Sequence, residues 1–139
     1  SLSTCMVGLG QRALDEAVAF AKHRKTFGKL IAERQAIQAH IADMQADLLA
    51  GRALVRTVAA AYDAGEDITA IASAAKLYCL NMVGRVTDHS LRVHGGYGFT
   101  KEAPIERIYR DARGFWFEEG TQEIQQLVVA RDVLEAHRD

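Results

Sequence analysis

IQAHIADMQADLLAGRALVRTVAAAY, from Ile37 to Tyr62, decides the fold class. Its apolar positions Ile37, Ile41, Met44, Leu48, Gly51, Val55, Val58 and Tyr62 recur in unbroken steps of four and three, which places one stripe on one face of a long α-helix. Toward the C-terminus AYDAGED breaks the pattern at a glycine. Asp67 then stands as the N-cap of a second helical stripe through Ile68, Ala72, Ala75, Cys79, Met82 and Val86. Toward the N-terminus, Leu9 to Phe20, with ALDEAVAF, fits a helix as well. At the far end IQQLVVARDVL supplies Ile124, Leu127, Val128 and Leu134. The only proline, Pro104, opens a short further helix. The prediction is an all-α, up-and-down four-helix bundle with one short extra helix. Its helices lie near residues 5 to 23, 35 to 64, 67 to 93 and 121 to 136, packed antiparallel.

Composition sets the limits within which this bundle acts. The 139 residues fit one domain, long enough to bury roughly two-thirds of the surface of the unfolded chain. With 25% charged residues and a net charge of -1, nothing in the bulk composition attracts nucleic acid or an anionic membrane, so specific sites must carry the function. No apolar run approaches the roughly 18 residues of a membrane span, and the N-terminus lacks the order of a signal peptide. Cytoplasm or an organelle matrix is the expected compartment. Cys5 and Cys79 stand far apart outside any CxxC pattern and read as reduced thiols in or near the core. The five histidines show no paired spacing, and no metal is expected.

Three connections between the helices hold the chemically suggestive residues. HRKTFGKL, His23 to Leu30, reads either as a helix C-cap, with cations at the carbonyl end and Gly28 turning the chain, or as a phosphate clamp built on Arg24 and Thr26. In the second reading Phe27 offers a ring face and Gln35 a neutral hydrogen bond. HGGYGF, His94 to Phe99, is either a helix end and turn or a loop whose Gly95 and Gly96 bring backbone amides to a ligand. FWFEEGTQEIQQ, Phe115 to Gln126, sets Glu118 and Glu119 after three aromatics. Either both are solvated at a helix N-terminus, or one is held among rings that exclude water and raise its proton affinity, as a general base requires.

Taken together and in order, ALDEAVAFAKHRKTFGKLIAERQAIQ, LRVHGGYGFTKEAPIERIYRDAR and FEEGTQEIQQLVVAR resemble the C-terminal helical domain of acyl-CoA dehydrogenases, over nearly the whole chain. The resemblance implies that residues 1–139 are that domain of a larger enzyme, preceded by an N-terminal helical domain and a middle β-domain. It implies that Glu119, immediately before Gly120-Thr121, removes the α-proton of an acyl-CoA thioester while the β-hydrogen leaves as hydride to the flavin of FAD. Glu118 departs from the aromatic more usual there. Arg24 and Thr26 would hold the FAD pyrophosphate, with Phe27 and Gln35 near the adenosine half. Arg92, Val93, His94, Gly95 and Gly96 would pass along the cofactor from a neighbouring subunit, Arg92 standing where many members have glutamine. Gly120, Thr121 and Gln122 would close over it. The implied partners are an electron-transfer flavoprotein as acceptor and further copies of the chain in a dimer of dimers, in a bacterial cytoplasm or a mitochondrial matrix. Two alternatives stand beside this reading: an acyl-CoA oxidase-like flavoprotein, and a non-catalytic helical oligomerisation module.

Overall fold

The computed structural model describes residues 2–137. Five helices follow one another: α1 (Leu2–His23), α2 (Gln35–Asp63), α3 (Thr69–His94), α4 (Pro104–Gly114) and α5 (Gln122–Ala136). Between α1 and α2 runs a hairpin of two-residue strands, β1 (Lys25–Thr26) and β2 (Lys29–Leu30), antiparallel with Lys25 opposite Leu30. The all-α class and all five predicted helices are present. The hairpin was not foreseen, because two residues are too few to show an alternation. Asp67, predicted as the N-cap of α3, stands one residue ahead of the N-cap position at Ile68, and its Oδ1 accepts from the Thr69 amide at 2.9 Å and the Thr69 hydroxyl at 2.6 Å.

Helix α3 is the axis. Its buried side chains Ala75, Cys79, Leu80, Met82, Val83 and Val86 include four members of the predicted stripe, and they meet Met6, Val7, Ala13, Leu14 and Ala17 of α1 and Met44 and Leu48 of α2. Ile68 and Ala72, at the start of that stripe, are only half-buried. Helix α1 lies parallel to α3: the Ser90 hydroxyl donates to the Ala13 carbonyl at 2.7 Å, and further along Phe20 stacks on His94. Helix α2 returns antiparallel, with Asp47 bound to Arg85 and His40 to His89. Gly10 lets α1 and α2 approach, since a Cβ there would come 2.9 Å from Leu48 Cδ2. Tyr62, predicted on the core stripe, is 68% exposed, because α2 runs past its neighbours at that end.

The fourth side of the bundle is shared by two helices, a detail the prediction did not specify. Helices α4 and α5 run one after the other down α3: Ile105 and Gly98 close on Leu91, Trp116 lies against Gly84, and α5 continues past Ala70 to Asp67. The short helix is therefore the upper half of the fourth leg. The break between the halves is the Phe115–Phe117 3₁₀ turn and the four residues after it. No helix among the described residues is long and apolar enough to cross a membrane.

Candidate functional site

Two separate groups of chemically suggestive residues emerge. The first lies where the hairpin meets the end of α3. Phe27 and Gly28 both have positive φ, 50° and 77°, the signature of a type I′ turn joining two strands tightly. The Arg34 Nη2 donates to the Thr26 carbonyl at 2.6 Å and its guanidinium lies 5.8 Å from the Phe27 ring, so the hairpin is fastened to the start of α2. Beneath it a cavity of about 400 Å³ is lined by Arg24 and Thr26 on one wall and by Val93, His94, Gly95 and Gly96 on the other. Phe20, Ile31, Ile37 and Tyr97 supply its apolar surface.

The polar groups of this cavity are open to a ligand. Arg24 has no ion-pair partner among the described residues, although the chain is rich in carboxylates. His94 is buried, and its Nδ1 donates to the Ser90 carbonyl at 2.8 Å, which leaves Nε2 as the acceptor when the ring is neutral. Gly95, at φ 60° and ψ −147°, holds a conformation that glycine alone adopts freely, yet a Cβ at Gly95 or Gly96 would touch nothing in this chain. Glycine is needed there for backbone shape and open space, not for packing. An unpaired guanidinium, a free hydroxyl and an uncovered glycine backbone make a donor set suited to a phosphorylated ligand.

The second group surrounds the break in the fourth leg. Glu118 is extended, φ −100° and ψ 140°, whereas Glu119 sits at φ 48° in the left-handed region and Gly120 at φ 89°. A glutamate at positive φ is uncommon, costs on the order of 1–2 kcal/mol, and persists only when its surroundings impose it. The carbonyls of this turn converge on Lys76 of α3, whose Nζ donates to those of Glu118, Glu119 and Gly120 at 2.6, 2.7 and 2.7 Å. Lys76 is only 8% exposed; burial lowers its pKa, and the nearby carboxylates of Glu119 and Glu118 oppose that. The Trp116 indole donates to Gln122 Oε1 at 2.7 Å and packs on Gly84, fixing the approach to the turn. Thr121 stands at the N-cap position just before α5 and hydrogen-bonds the Glu123 carboxylate, which lowers the pKa of that exposed acid.

Set against the sequence, the cavity brings together Arg24, Thr26, Val93, His94, Gly95 and Gly96, all from one chain. It does not bring in Phe27, which stands 98% exposed at the hairpin tip, nor Gln35, exposed at the first position of α2. Arg92 turns to solvent and pairs with Asp88 at 2.8 Å. Glu119, Gly120, Thr121 and Gln122 belong to the other group. Lys76 and His94 are eighteen residues apart on α3, roughly 27 Å along its axis, and the two groups are separated by that length. The aromatic enclosure expected for Glu119 is not built by this chain. Phe115 and Trp116 turn onto the core and Phe117 turns out, so the carboxylate is exposed. Cys5 is exposed too, correcting the near-core assignment, while Cys79 is buried. Lys76 was missed, although a lysine on the face that carries Ala72, Ala75 and Cys79 was the visible signal.

Residues 1–134 match the family model described as the acyl-CoA dehydrogenase C-terminal domain. The chain is 44% identical over 128 residues to the caffeyl-CoA reductase-Etf complex subunit CarC of Acetobacterium woodii, covering 92% of this chain and 34% of that protein. It is 41% identical over 134 residues to the probable acyl-CoA dehydrogenase YngJ of Bacillus subtilis, covering 96% and 35%. Among solved structures, butyryl-CoA dehydrogenase from Megasphaera elsdenii superposes with a TM-score of 0.92 at 34% identity, over 95% of this chain and 34% of that one. The chain thus spans about a third of the length of the curated relatives it matches. With its bundle, its order of connections and this likeness, the chain belongs to the acyl-CoA dehydrogenase family and is matched by that family's C-terminal domain.

Proposed function

We propose that residues 1–139 form the C-terminal domain of a larger FAD-dependent acyl-CoA dehydrogenase that desaturates an acyl-CoA thioester between its α and β carbons. The observation that carries this is Glu119: a non-glycine residue held at φ 48°, immediately before Gly120-Thr121, with its carboxylate left free. A base must reach a proton on a carbon acid without being engaged elsewhere, and among the described residues neither Glu118 nor Glu119 is in an ion pair. Glu119 accepts the α-proton as the thioester carbonyl takes up the developing charge. When bound, the flavin supplies a two-electron acceptor for the hydride that leaves the β carbon.

The cavity residues fit a dinucleotide. Arg24 and Thr26 would hold its pyrophosphate from one wall, and the exposed backbone at Gly95 and Gly96, with Val93 and His94, would follow it along the other. Gly120, Thr121 and Gln122 lie roughly 27 Å away along α3 and would meet a cofactor at its other end or in another subunit's site. Phe27, at the hairpin tip, and Gln35 and Arg92, both exposed, would make contacts only beyond the cavity wall. We therefore infer an assembly of several copies, a dimer of dimers, in which the walls that shield Glu119 come from outside this domain. The electrons would pass to an electron-transfer flavoprotein, in a bacterial cytoplasm or a mitochondrial matrix.

A second reading runs the chemistry in reverse. Relatives named caffeyl-CoA reductase-Etf complex subunit CarC, 3-(aryl)acrylate reductase and acryloyl-CoA reductase are 42–44% identical to this chain, and they favour saturation of an enoyl-CoA with Glu119 protonating the α carbon. Anaerobic stopped-flow on the whole enzyme separates the two. Rapid bleaching of oxidised flavin by a saturated acyl-CoA supports desaturation, and reoxidation of pre-reduced flavin by an enoyl-CoA with no bleaching by its saturated partner supports the reductase. Glu119→Gln should slow either transfer by about 10² to 10⁴-fold. Steady oxygen consumption without another acceptor would instead indicate an oxidase, and a purified protein without flavin absorbance would indicate an oligomerisation module.

A further inference from the structure

We propose that Lys76 is a positioning residue for Glu119: by gathering the carbonyls of Glu118, Glu119 and Gly120 on one buried ammonium, it holds the glutamate in the left-handed conformation from which it acts. The inference rests on the assignment of Glu119 as the base. Its ground is the geometry of the clamp. An ammonium has three N–H donors and no acceptor, and here all three donors are spent on three successive carbonyls at 2.6 to 2.7 Å. Three consecutive carbonyls converge on one point only when the backbone turns sharply, and positive φ at both Glu119 and Gly120 makes that turn. The turn and the clamp therefore presuppose each other.

Two features separate the clamp from an ordinary buried ion pair. Lys76 carries no salt bridge, even though two carboxylates belong to the very residues whose carbonyls it binds. A lysine that paired with the Glu119 carboxylate would neutralise the base, whereas one that binds only its backbone orients the residue and leaves the side chain free. The anchor is also rigid. Lys76 lies in the second turn of α3 with the buried residues Ala75, Cys79 and Leu80 around it, on the helix against which every other helix packs. The ammonium is thus fixed by the core, and the turn is fixed by the ammonium.

No other side chain substitutes for it. Methionine matches the stem and offers no donor. Arginine keeps the charge but spreads its donors in a planar fork, suited to carboxylates and not to three carbonyls fanned around one atom.

The test is a double-mutant cycle in the whole enzyme, read by stopped-flow flavin reduction. Lys76→Met should lower kcat roughly 100-fold, the size of effect that misplacing a reacting group by about 1 Å produces, with KM for the acyl-CoA and FAD content within about twofold of wild type. In the Glu119→Gln background the same substitution should cost no more than roughly twofold, because its effect passes through the carboxylate already removed. Lys76→Arg, which retains a buried cation, should recover the melting temperature lost in Lys76→Met while kcat stays well below wild type. Wild-type kcat in either single variant, or losses that multiply fully in the double variant, would overturn the proposal. The assignment beneath it fails separately: if Glu119→Gln alone left flavin reduction within a few-fold of wild type, Glu119 would not be the base, whatever Lys76 did.

Discussion

Glu118 and Glu119 are neighbours with opposite backbones, one extended and one left-handed, so their side chains leave the chain in different directions. Only Glu119 has the conformation that the clamp enforces. Glu118→Gln should accordingly cost far less flavin reduction than Glu119→Gln under identical stopped-flow conditions, and equal losses would mean that the pair acts as one unit. Arg24 makes a different residue-scale prediction. It is exposed and without an ion-pair partner among the described residues, so Arg24→Ala in the whole enzyme should change stability by less than about 0.5 kcal/mol yet raise the fraction of apoprotein. Flavin absorbance per polypeptide reads that directly. The cysteines differ as sharply: burial pushes the Cys79 thiol up to about 11, whereas Cys5 is exposed on α1. At pH 7.5 a maleimide should label Cys5 alone in the folded chain, and Cys79 only after denaturation.

Between one helix and another, the seam of α2 with α3 carries most of the polar bonds. Arg85 grips Asp47 with Nε at 2.8 Å and Nη2 at 2.7 Å, and Tyr78 adds a hydroxyl at 3.2 Å. The Arg85 hydrogen bond holds the Asp47 carboxyl below its usual range, more strongly than burial raises it. A depressed carboxyl pKa contributes stability that is present above the unfolded value, near 4, and lost as pH falls through the folded one. Because Arg85 is half exposed, the contribution is no more than about 1 kcal/mol, and Asp47→Asn should lose that at pH 7 and nothing near pH 2. The His40–His89 pair, Nδ1 to Nδ1 at 2.6 Å, works in the same direction at milder pH. One ring donates to the other in this contact, and burial followed by the nearby His89 charge lowers the His40 pKa. Stability should therefore fall as pH drops below about 6.5 toward 5, and His40→Gln should flatten that slope in urea titrations. At the break of the fourth leg, Gly84 makes room for Trp116, whose Cη2 would lie 2.9 Å from an added Cβ. Gly84→Val should cost about 1–3 kcal/mol and release the indole from Gln122, seen as a red shift in tryptophan fluorescence.

At the scale of the whole molecule, the bundle is well packed on three sides and along α4, and open beside α5. Helix α5 buries only Gln125 and leaves Ile124, Leu127, Val133 and Leu134 half or more exposed, while Leu49 and Tyr62 stand out from α2. Scattered singly such residues need no explanation, but Ile124, Leu127 and Leu134 lie on one side of α5 and make a face that water penalises. The chain should self-associate with rising concentration in sedimentation velocity, and Leu127→Glu with Leu134→Glu should shift it toward smaller species without loss of helical circular dichroism. A monomer at all concentrations would refute the assembly inferred for the site.

What the sequence by itself determined is the set of helices and the three connections that matter. A 3.6-residue period reports which face of a segment is buried, and glycines, one proline and an N-cap report where segments stop, all of which are local properties. Even Lys76 was legible as an anomaly, a charge on an apolar stripe. What it held could not be read, because the three carbonyls lie more than forty residues further along and backbone oxygens leave no mark in a sequence. The same limit explains why Gln35 and Arg92 lie outside the cavity lining: a stripe gives the phase of one helix, not the direction from which its neighbours arrive. Only the packing of α1, α2, α4 and α5 on α3 decided that Arg24 meets His94 in one cavity, that the fourth leg is broken at its midpoint, and that Glu119 stands roughly 27 Å from that cavity, toward the other end of a rigid helix.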